Sequence, residues 1–477
     1  MLGRPPTRLF LIAACLLVLV SCRGDLPEAL EVNCADAIED RQTDITCFTV
    51  AVPADYSEPD GATFEVFVVV IDNPGGEDLG PVAGLVGGPG QAAHPFLDRM
   101  RGQAFDVVLV DQRGTGLSKP SLHCSELDEI RNQLLALGHT TDADALVAGA
   151  LAGCGVRLAN AGVDVSLFDT DSNARDFDIV RTALGYDQWN LWGDSYGSRL
   201  GLEIMRLHPE TVRAAVFGSV LPPQADIAAE WPDHHRLAVD LLIDSCAAST
   251  DCYDAFGDLR ALINELVEGL DTSPVDVEVL GSTVRMDGAA LARTVFEALY
   301  STRHIRELPF LLSAAADGDL VRLAEIRVGN YDPTFSWGMY WSVHCRDYYS
   351  VTDHDAMTAA LADETGGFAK AFDYTGLIET CRQWGAGTSP PSAREPVDSD
   401  VPTLLLAGQF DPATPPVWAQ LVAQGLTHST YIEFARFGHS PSMELCGLKV
   451  VESYIRAPSR APTIACDPAE PPRWLLP

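Results

Sequence analysis

Apolar and polar positions change period three times along the chain. Residues 64–71 form a β-branched and aromatic run that reads as a strand, broken by Asn73-Pro-Gly-Gly76. Residues 82–86 read as a short buried strand that runs into Gly87-Gly88-Pro89-Gly90. Residues 105–110 read as another, followed by Asp111-Gln-Arg-Gly-Thr-Gly-Leu-Ser118. Over 166–184 the period becomes helical: Phe177, Val180 and Leu184 fall on one face, and Asp169 or Asp171 is placed to cap the start. A strand at Trp189-Asn-Leu-Trp192, a tight turn, a helix to residue 208 and a strand over 212–220 follow. Strands alternating with helices predict an α/β fold around a parallel sheet, and ligands gather at the carboxyl edge of such sheets. Residues 23–50 have mixed polarity and read as a lead-in.

From residue 222 to about 400 the strand signal fades. Helix-like runs dominate, as at 237–246, 259–270 and 289–300. Thr388-Ser-Pro-Pro-Ser-Ala-Arg-Glu-Pro396 looks like an exit linker, after which 401–408 and 430–434 resume the sheet. The expected layout is a leader over 1–22, a first core part over 23–221, a helical cap over 222–400 and a last core part over 401–477. No internal repeat is visible.

Acidic residues outnumber basic ones, 67 to 32, for a formal charge of −35. Phosphates would be repelled, so nucleic acid is excluded as a partner. The start of the chain carries Arg4 and Arg8, then an apolar stretch over 9–20 that is short for a bilayer span. It ends in Leu19-Val20-Ser21-Cys22, which resembles a bacterial lipobox. Cleavage before a lipidated Cys22 would leave an exported protein anchored in the cell envelope, facing the periplasm or the exterior. A plain signal peptide or an uncleaved anchor are the alternatives. Of 12 cysteines, ten lie beyond this leader and none forms a C-x-x-C pair. Disulfides fit better than a metal site, and export agrees with them. Sequence does not fix their connectivity. Pairing of neighbours is the working expectation: Cys34–Cys47, Cys124–Cys154, Cys246–Cys252, Cys345–Cys381 and Cys446–Cys466.

Gly193-Asp194-Ser195-Tyr196-Gly197 matches G-x-S-x-G between a strand and a helix. A serine there sits on a sharp turn that lifts its hydroxyl clear of the sheet. Glycine is needed two residues before and two after, where side chains would clash. Asp194 is expected to point elsewhere. A serine nucleophile needs a base, and the base needs an acid to orient it. Asp411 leaves the strand near 401–407 and His439 follows the strand near 430–434, in the order Ser, Asp, His of the α/β-hydrolase plan. Two N–H groups should hold the oxyanion: that of Tyr196, and that of Gly88, with Gly90 as second choice. Asp233, His234 and His235 together suggest a metal site or, more simply, solvated cap residues. No cofactor is expected.

At this point the chain resembles α/β-hydrolases related to prolyl aminopeptidase and to the exported tripeptidyl aminopeptidases. The resemblance rests on Gly87-Gly-Pro-Gly90, Asp111–Ser118, Asp169-Thr-Asp-Ser-Asn-Ala-Arg-Asp176, Gly193–Gly197, His208-Pro-Glu-Thr-Val212, Gly408-Gln-Phe-Asp-Pro-Ala-Thr-Pro415 and Gly438-His439. Val86 replaces the histidine that prolyl aminopeptidases carry before this glycine loop, and Gln91-Ala-Ala departs from the small residues of the tripeptidyl branch. The resemblance implies an α/β-hydrolase fold with a large helical cap, and a peptidase acting at peptide N-termini. Val343-His-Cys-Arg-Asp347 resembles a cap motif of the tripeptidyl branch. Asp347 is therefore a candidate for the carboxylate that pairs with a substrate amine, or else a structural partner of a neighbouring arginine. A carboxylic-ester hydrolase with the same triad is the close alternative, and an inactive binding protein the distant one.

Overall fold

A computed structural model describes residues 27–40, 42–73, 79–362, 371–372 and 375–477. The leader, including Cys22, lies outside the described residues. The central sheet has nine strands. In chain order they are β1 (Ala29–Val32), β2 (Ile45–Pro53), β3 (Thr63–Ile71), β4 (Val82–Leu85), β5 (Val107–Asp111), β6 (Trp189–Ser195), β7 (Val212–Val220), β10 (Thr403–Gly408) and β11 (Ser429–Phe434). Their order across the sheet is β1-β2-β3-β5-β4-β6-β7-β10-β11. From β5 to β11 every pairing is parallel, whereas β1–β2, β2–β3 and β3–β5 are antiparallel. The supposed lead-in over 23–50 thus supplies β1 and most of β2. Only Ile45, Cys47, Val50 and Val52 of β2 are fully buried, so threonines and half-buried positions dilute its apolar run.

The helices Thr170–Ala183, Tyr196–Leu207 and Pro416–Ala423 cover one face, and Leu97–Met100 and Leu445–Arg456 cover the other. Asp169 caps the first of these by accepting from Ser172 N at 2.7 Å. It is the first of the two acids expected there. The buried Arg113 forks onto Asp176, with two bonds of 2.7 Å, and Tyr56 adds a third to the same carboxylate. This pair ties the loop after β5 to the helix beside it.

Between β7 and β10 lies the helical insertion, with its own apolar core around Leu242, Ile263, Val295 and Leu308. It also holds an antiparallel hairpin, β8 (Val275–Val279) and β9 (Ser282–Met286), which the helical periodicity of its surroundings masks. Leu280 and Gly281 both take positive φ, the geometry of a two-residue hairpin turn. A second excursion joins it. Helices Ser125–Leu137 and Thr141–Asn160 are linked by the Cys124–Cys154 disulfide. They reach the insertion through His139 N on Asp287 Oδ2, at 3.1 Å, and Tyr331 Oη on Asp128 Oδ1, at 2.8 Å. The ten cysteines beyond the leader form Cys34–Cys47, Cys124–Cys154, Cys246–Cys252, Cys345–Cys381 and Cys446–Cys466. Among the described residues no helix is long and apolar enough to cross a membrane.

Candidate active site

Ser195 closes β6 and opens the helix Tyr196–Leu207 with φ 59° and ψ −130°. A non-glycine residue there is strained, and the surroundings hold it in place. Ser198 Oγ donates to Ser195 O at 2.6 Å and accepts from Leu221 N at 2.9 Å. The flanking glycines are sterically required: a Cβ on Gly193 would stand 2.6 Å from Gly197 O, and one on Gly197 would fall on the Leu85 carbonyl.

Asp411 follows β10 and is almost wholly buried. It accepts from Ala413 N (3.0 Å), Thr414 N (2.9 Å), Thr414 Oγ1 (2.8 Å) and Ser219 Oγ (2.6 Å). His439 Nδ1 lies 2.9 Å from Asp411 Oδ2 and 3.0 Å from Oδ1. With Nδ1–H donated to the carboxylate, Nε2 is left as the acceptor on the other side of the ring. Burial alone would push the Asp411 carboxyl up. The charge and hydrogen bond of His439, with Ser219 and Thr414, outweigh it and hold the carboxyl below its usual range. Burial alone would likewise push His439 down, but Asp411 outweighs it and the imidazole is raised.

Ser195 and His439 line one cavity of about 550 Å³, with Gly87 and Gly88 on its wall and Trp192, Met100 and Met443 among its apolar sides. Gly88 has φ +107° and Gly90 φ +118°, conformations that favour glycine. Asp111, at the end of β5, ties this loop to the next: its carboxylate accepts from Ala93 N (2.6 Å), His94 Nδ1 (2.7 Å) and Leu117 N (2.8 Å). The cap holds both sides of the cavity. Ser336 N donates to Gly90 O at 2.8 Å, His439 N donates to Tyr300 O at 3.0 Å, and the Tyr300 ring lies 4.7 Å from the His439 ring.

Asp194 also lines the cavity. It turns toward Ser442, whose hydroxyl donates to it and accepts from Trp192 Nε1 at 2.8 Å. Burial raises its carboxyl to about 6, against the lowering effect of Ser442 and His439.

Two cap residues singled out by the sequence are internal. Asp347 does not line the catalytic cavity. It is 4% exposed and accepts from Thr170 Oγ1 at 2.5 Å and from Ser389 Oγ, and Thr170 Oγ1 in turn meets Tyr196 Oη at 3.1 Å. Its oxygens serve an internal hydroxyl network, and burial raises its carboxyl against the opposing charge of the Arg199 guanidinium. His235 is not solvated: it is 2% exposed, with its ring 4.1 Å from Phe296 and 4.2 Å from Phe372. Burial pushes it well below its usual range, so it is a neutral core ring. Among the described residues the one group with metal-ligand spacing is Cys124, Glu126 and Cys154, and its two thiols are spent in a disulfide. Ser219, Thr414, Asp111 and Tyr300 were not legible as site residues. Asp111 and Thr414 lie inside quoted motifs that do not tell their role, and Ser219 and Tyr300 act through contacts distant in sequence.

Residues 87–236 match the model for the alpha/beta hydrolase fold, and residues 368–466 match that for TAP-like protein. The chain is 26% identical over 411 residues to the serine protease Hip1 of Mycobacterium tuberculosis, covering 77% of this chain and 76% of that protein. It is 27% identical over 441 residues to carboxylesterase B of the same organism, covering 83% and 79%. To the tripeptidyl aminopeptidase of Streptomyces lividans it is 33% identical over 199 residues, 38% of this chain and 36% of that one. The nucleophile elbow, the sheet order and both family matches make this chain a member of the α/β-hydrolase family with a TAP-like C-terminal part, a serine hydrolase of the peptidase or carboxylesterase kind.

Proposed function

We propose that the protein is an exported aminopeptidase-type exopeptidase that works through an acyl-enzyme on Ser195. The observation that carries the chemistry is the His439–Asp411 contact of 2.9 Å beside a cavity that also holds Ser195. Ser195 Oγ attacks the scissile carbonyl as its proton passes to His439 Nε2, and Asp411 stabilises the resulting imidazolium. The N–H groups of Tyr196 and Gly88 face the oxyanion. The C–N bond then breaks and His439 gives its proton to the leaving amine. Water attacks the acyl-enzyme, His439 takes the water's proton, and the freed acid leaves as Ser195 regains its own. The likeness to a tripeptidyl aminopeptidase and the TAP-like stretch over 368–466 support removal of residues from a free N-terminus. Export through a leader ending at Cys22, with lipid anchoring there, is supported by the five disulfides, which suit an oxidising compartment.

A carboxylesterase is the second reading. The carboxylesterase relative aligns over 83% of this chain, and Met100, Trp192 and Met443 give the cavity an apolar side. The two separate on a panel of free and N-blocked peptide anilides and short acyl esters, run beside Ser195→Ala. Cleavage of free-amine anilides, lost on blocking and on Ser195→Ala, is the expected result. Cleavage of esters alone would establish the second reading instead.

A further inference from the structure

His123 is not on the lining of the catalytic cavity, yet it holds a residue that is. Its Nδ1 lies 3.2 Å from Phe335 O, and its Nε2 lies 2.7 Å from Asp128 Oδ2. Phe335 lines the cavity that holds Ser195 and His439. Its ring stands against the glycine loop: a Cβ built on Gly88 would be 3.1 Å from it, and one on Gly90 would be 3.2 Å from it. The next residue, Ser336, donates its N–H to Gly90 O at 2.8 Å. One imidazole is thus linked, through two cap residues, to the loop that bears Gly88.

Both partners of the ring can only accept. A carbonyl oxygen and a carboxylate each need a proton from it, and a neutral imidazole carries a single N–H. Only the imidazolium fills both contacts. A neutral ring that keeps its proton for Asp128 turns a bare lone pair on the Phe335 carbonyl, and the other tautomer turns one on the carboxylate. The backbone on either side is fixed, so the ring stays between its partners. Leu122 N donates to Gly114 O at 3.0 Å, Gly338 N donates to Leu122 O at 3.0 Å, and Ser336 Oγ donates to Gly114 O at 2.8 Å. The Cys124–Cys154 bridge holds the residue that follows.

The charged neighbours favour the cation. Asp128 faces the ring and also accepts from Tyr331 Oη at 2.8 Å. Glu126 is forked by Arg157, which also donates to His123 O at 2.8 Å. From the cap side, Asp332 accepts from Thr334, and the Tyr331 ring has Arg131 4.2 Å above it. The ring is partly exposed, so water can supply and remove its proton. We propose that His123 is a positioning residue of the hydrolase: as the imidazolium it clamps the Phe335 carbonyl to Asp128 and so seats the cap segment 331–336 against the glycine loop, and on losing its proton it releases that segment. The clamp is closed at lower pH and opens as pH rises, the reverse of His439, which must lose its proton to act. The proposal depends on neither substrate reading above.

The test follows the second-order rate at which a fluorophosphonate labels Ser195, from acid to alkaline pH. Such a probe needs the triad and the glycine loop but not the natural substrate. In the parent the rate is expected to climb as His439 loses its proton and then to fall threefold or more as His123 loses its own. His123→Arg keeps a cation with donors for both acceptors, so its rate should climb and stay level. Asp128→Asn removes the charge that favours the imidazolium, so its fall should begin at lower pH. A parent rate that stays level on the alkaline side overturns the proposal. So does a fall that is the same in all three proteins. Should His123→Arg not fold, Asp128→Asn decides alone, and a fall that it leaves in place overturns the proposal.

Discussion

Ser219 reaches from the end of β7 to Asp411, donating to Oδ2 at 2.6 Å while its own oxygen receives the Ser440 N–H at 2.7 Å. One hydroxyl thus braces the acid and the loop that carries the base. Ser219→Ala removes a donor from a buried carboxylate and orphans an amide, at a cost of about 1–3 kcal/mol at neutral pH. Asp411 is held below its unfolded value, so its contribution to stability is present above the ordinary carboxylate range and is lost as pH falls through the folded value. Without Ser219 the folded value rises, so less of that contribution exists to be lost and the variant starts the acid descent from lower stability. Acid-unfolding curves of the two proteins should show the variant's midpoint displaced upward.

His439 must be neutral to take the serine proton, and Asp411 raises it above about 6.5, the ordinary histidine value. The acid limb of kcat/KM should have its midpoint above that value. Asp194 contributes to the raising, and its own carboxyl, at about 6, is charged where the limb lies. Asp194→Asn keeps the shape and removes the charge, so the limb should move to lower pH. Its stability sign is the reverse of Asp411's. A raised folded carboxyl makes the protein lose stability as pH climbs from the unfolded value to about 6, and asparagine abolishes that loss. A limb that stays in place in the variant would show the two groups to be uncoupled.

The Tyr300 ring packs 4.7 Å from the His439 ring at an interplanar angle of 50°. Such ring pairs contribute roughly 0.5–1.5 kcal/mol beyond the area they bury. Tyr300→Ala leaves the backbone bond from His439 N in place and frees the imidazole to tilt. We expect kcat/KM to fall about two- to tenfold on every substrate, with Tyr300→Phe restoring most of it. A merely structural tyrosine would move the melting temperature and not the rate.

The Cys124–Cys154 bridge closes a separation of 30 residues and pins the two helices that face the cap. Replacing both cysteines by alanine should destabilise the protein by roughly 3.5 kcal/mol, the chain-entropy size for a loop of this length. Thermal melts would show it, and limited proteolysis should open first within 125–160.

Strands β3 to β7, β10 and β11 and the loops bearing Ser195, Asp411 and His439 are legible because each combines an apolar run with residues that only a special turn tolerates. The edge strand β1 and its neighbour β2 are not legible, since no side chain of β1 is fully buried and only four of β2 are, which leaves no apolar run. The β8–β9 hairpin hides among helices. Helices Ser125–Leu137 and Thr141–Asn160 leave few side chains buried, so their faces are weakly marked. The role of Ser219 has no local signature at all, because its partner lies 192 residues away. Asp347 misleads for a similar reason: a motif names the residue but not the direction its carboxylate faces.

The cap grips the glycine loop through Ser336 and Gly90 and the histidine loop through Tyr300. It is therefore less a door over the catalytic centre than a keystone set into it. Swinging it outward would break both grips and release the two loops that must stay fixed. Mild denaturation should silence the enzyme while its sheet is still intact, with heat or urea reaching the cap before the core.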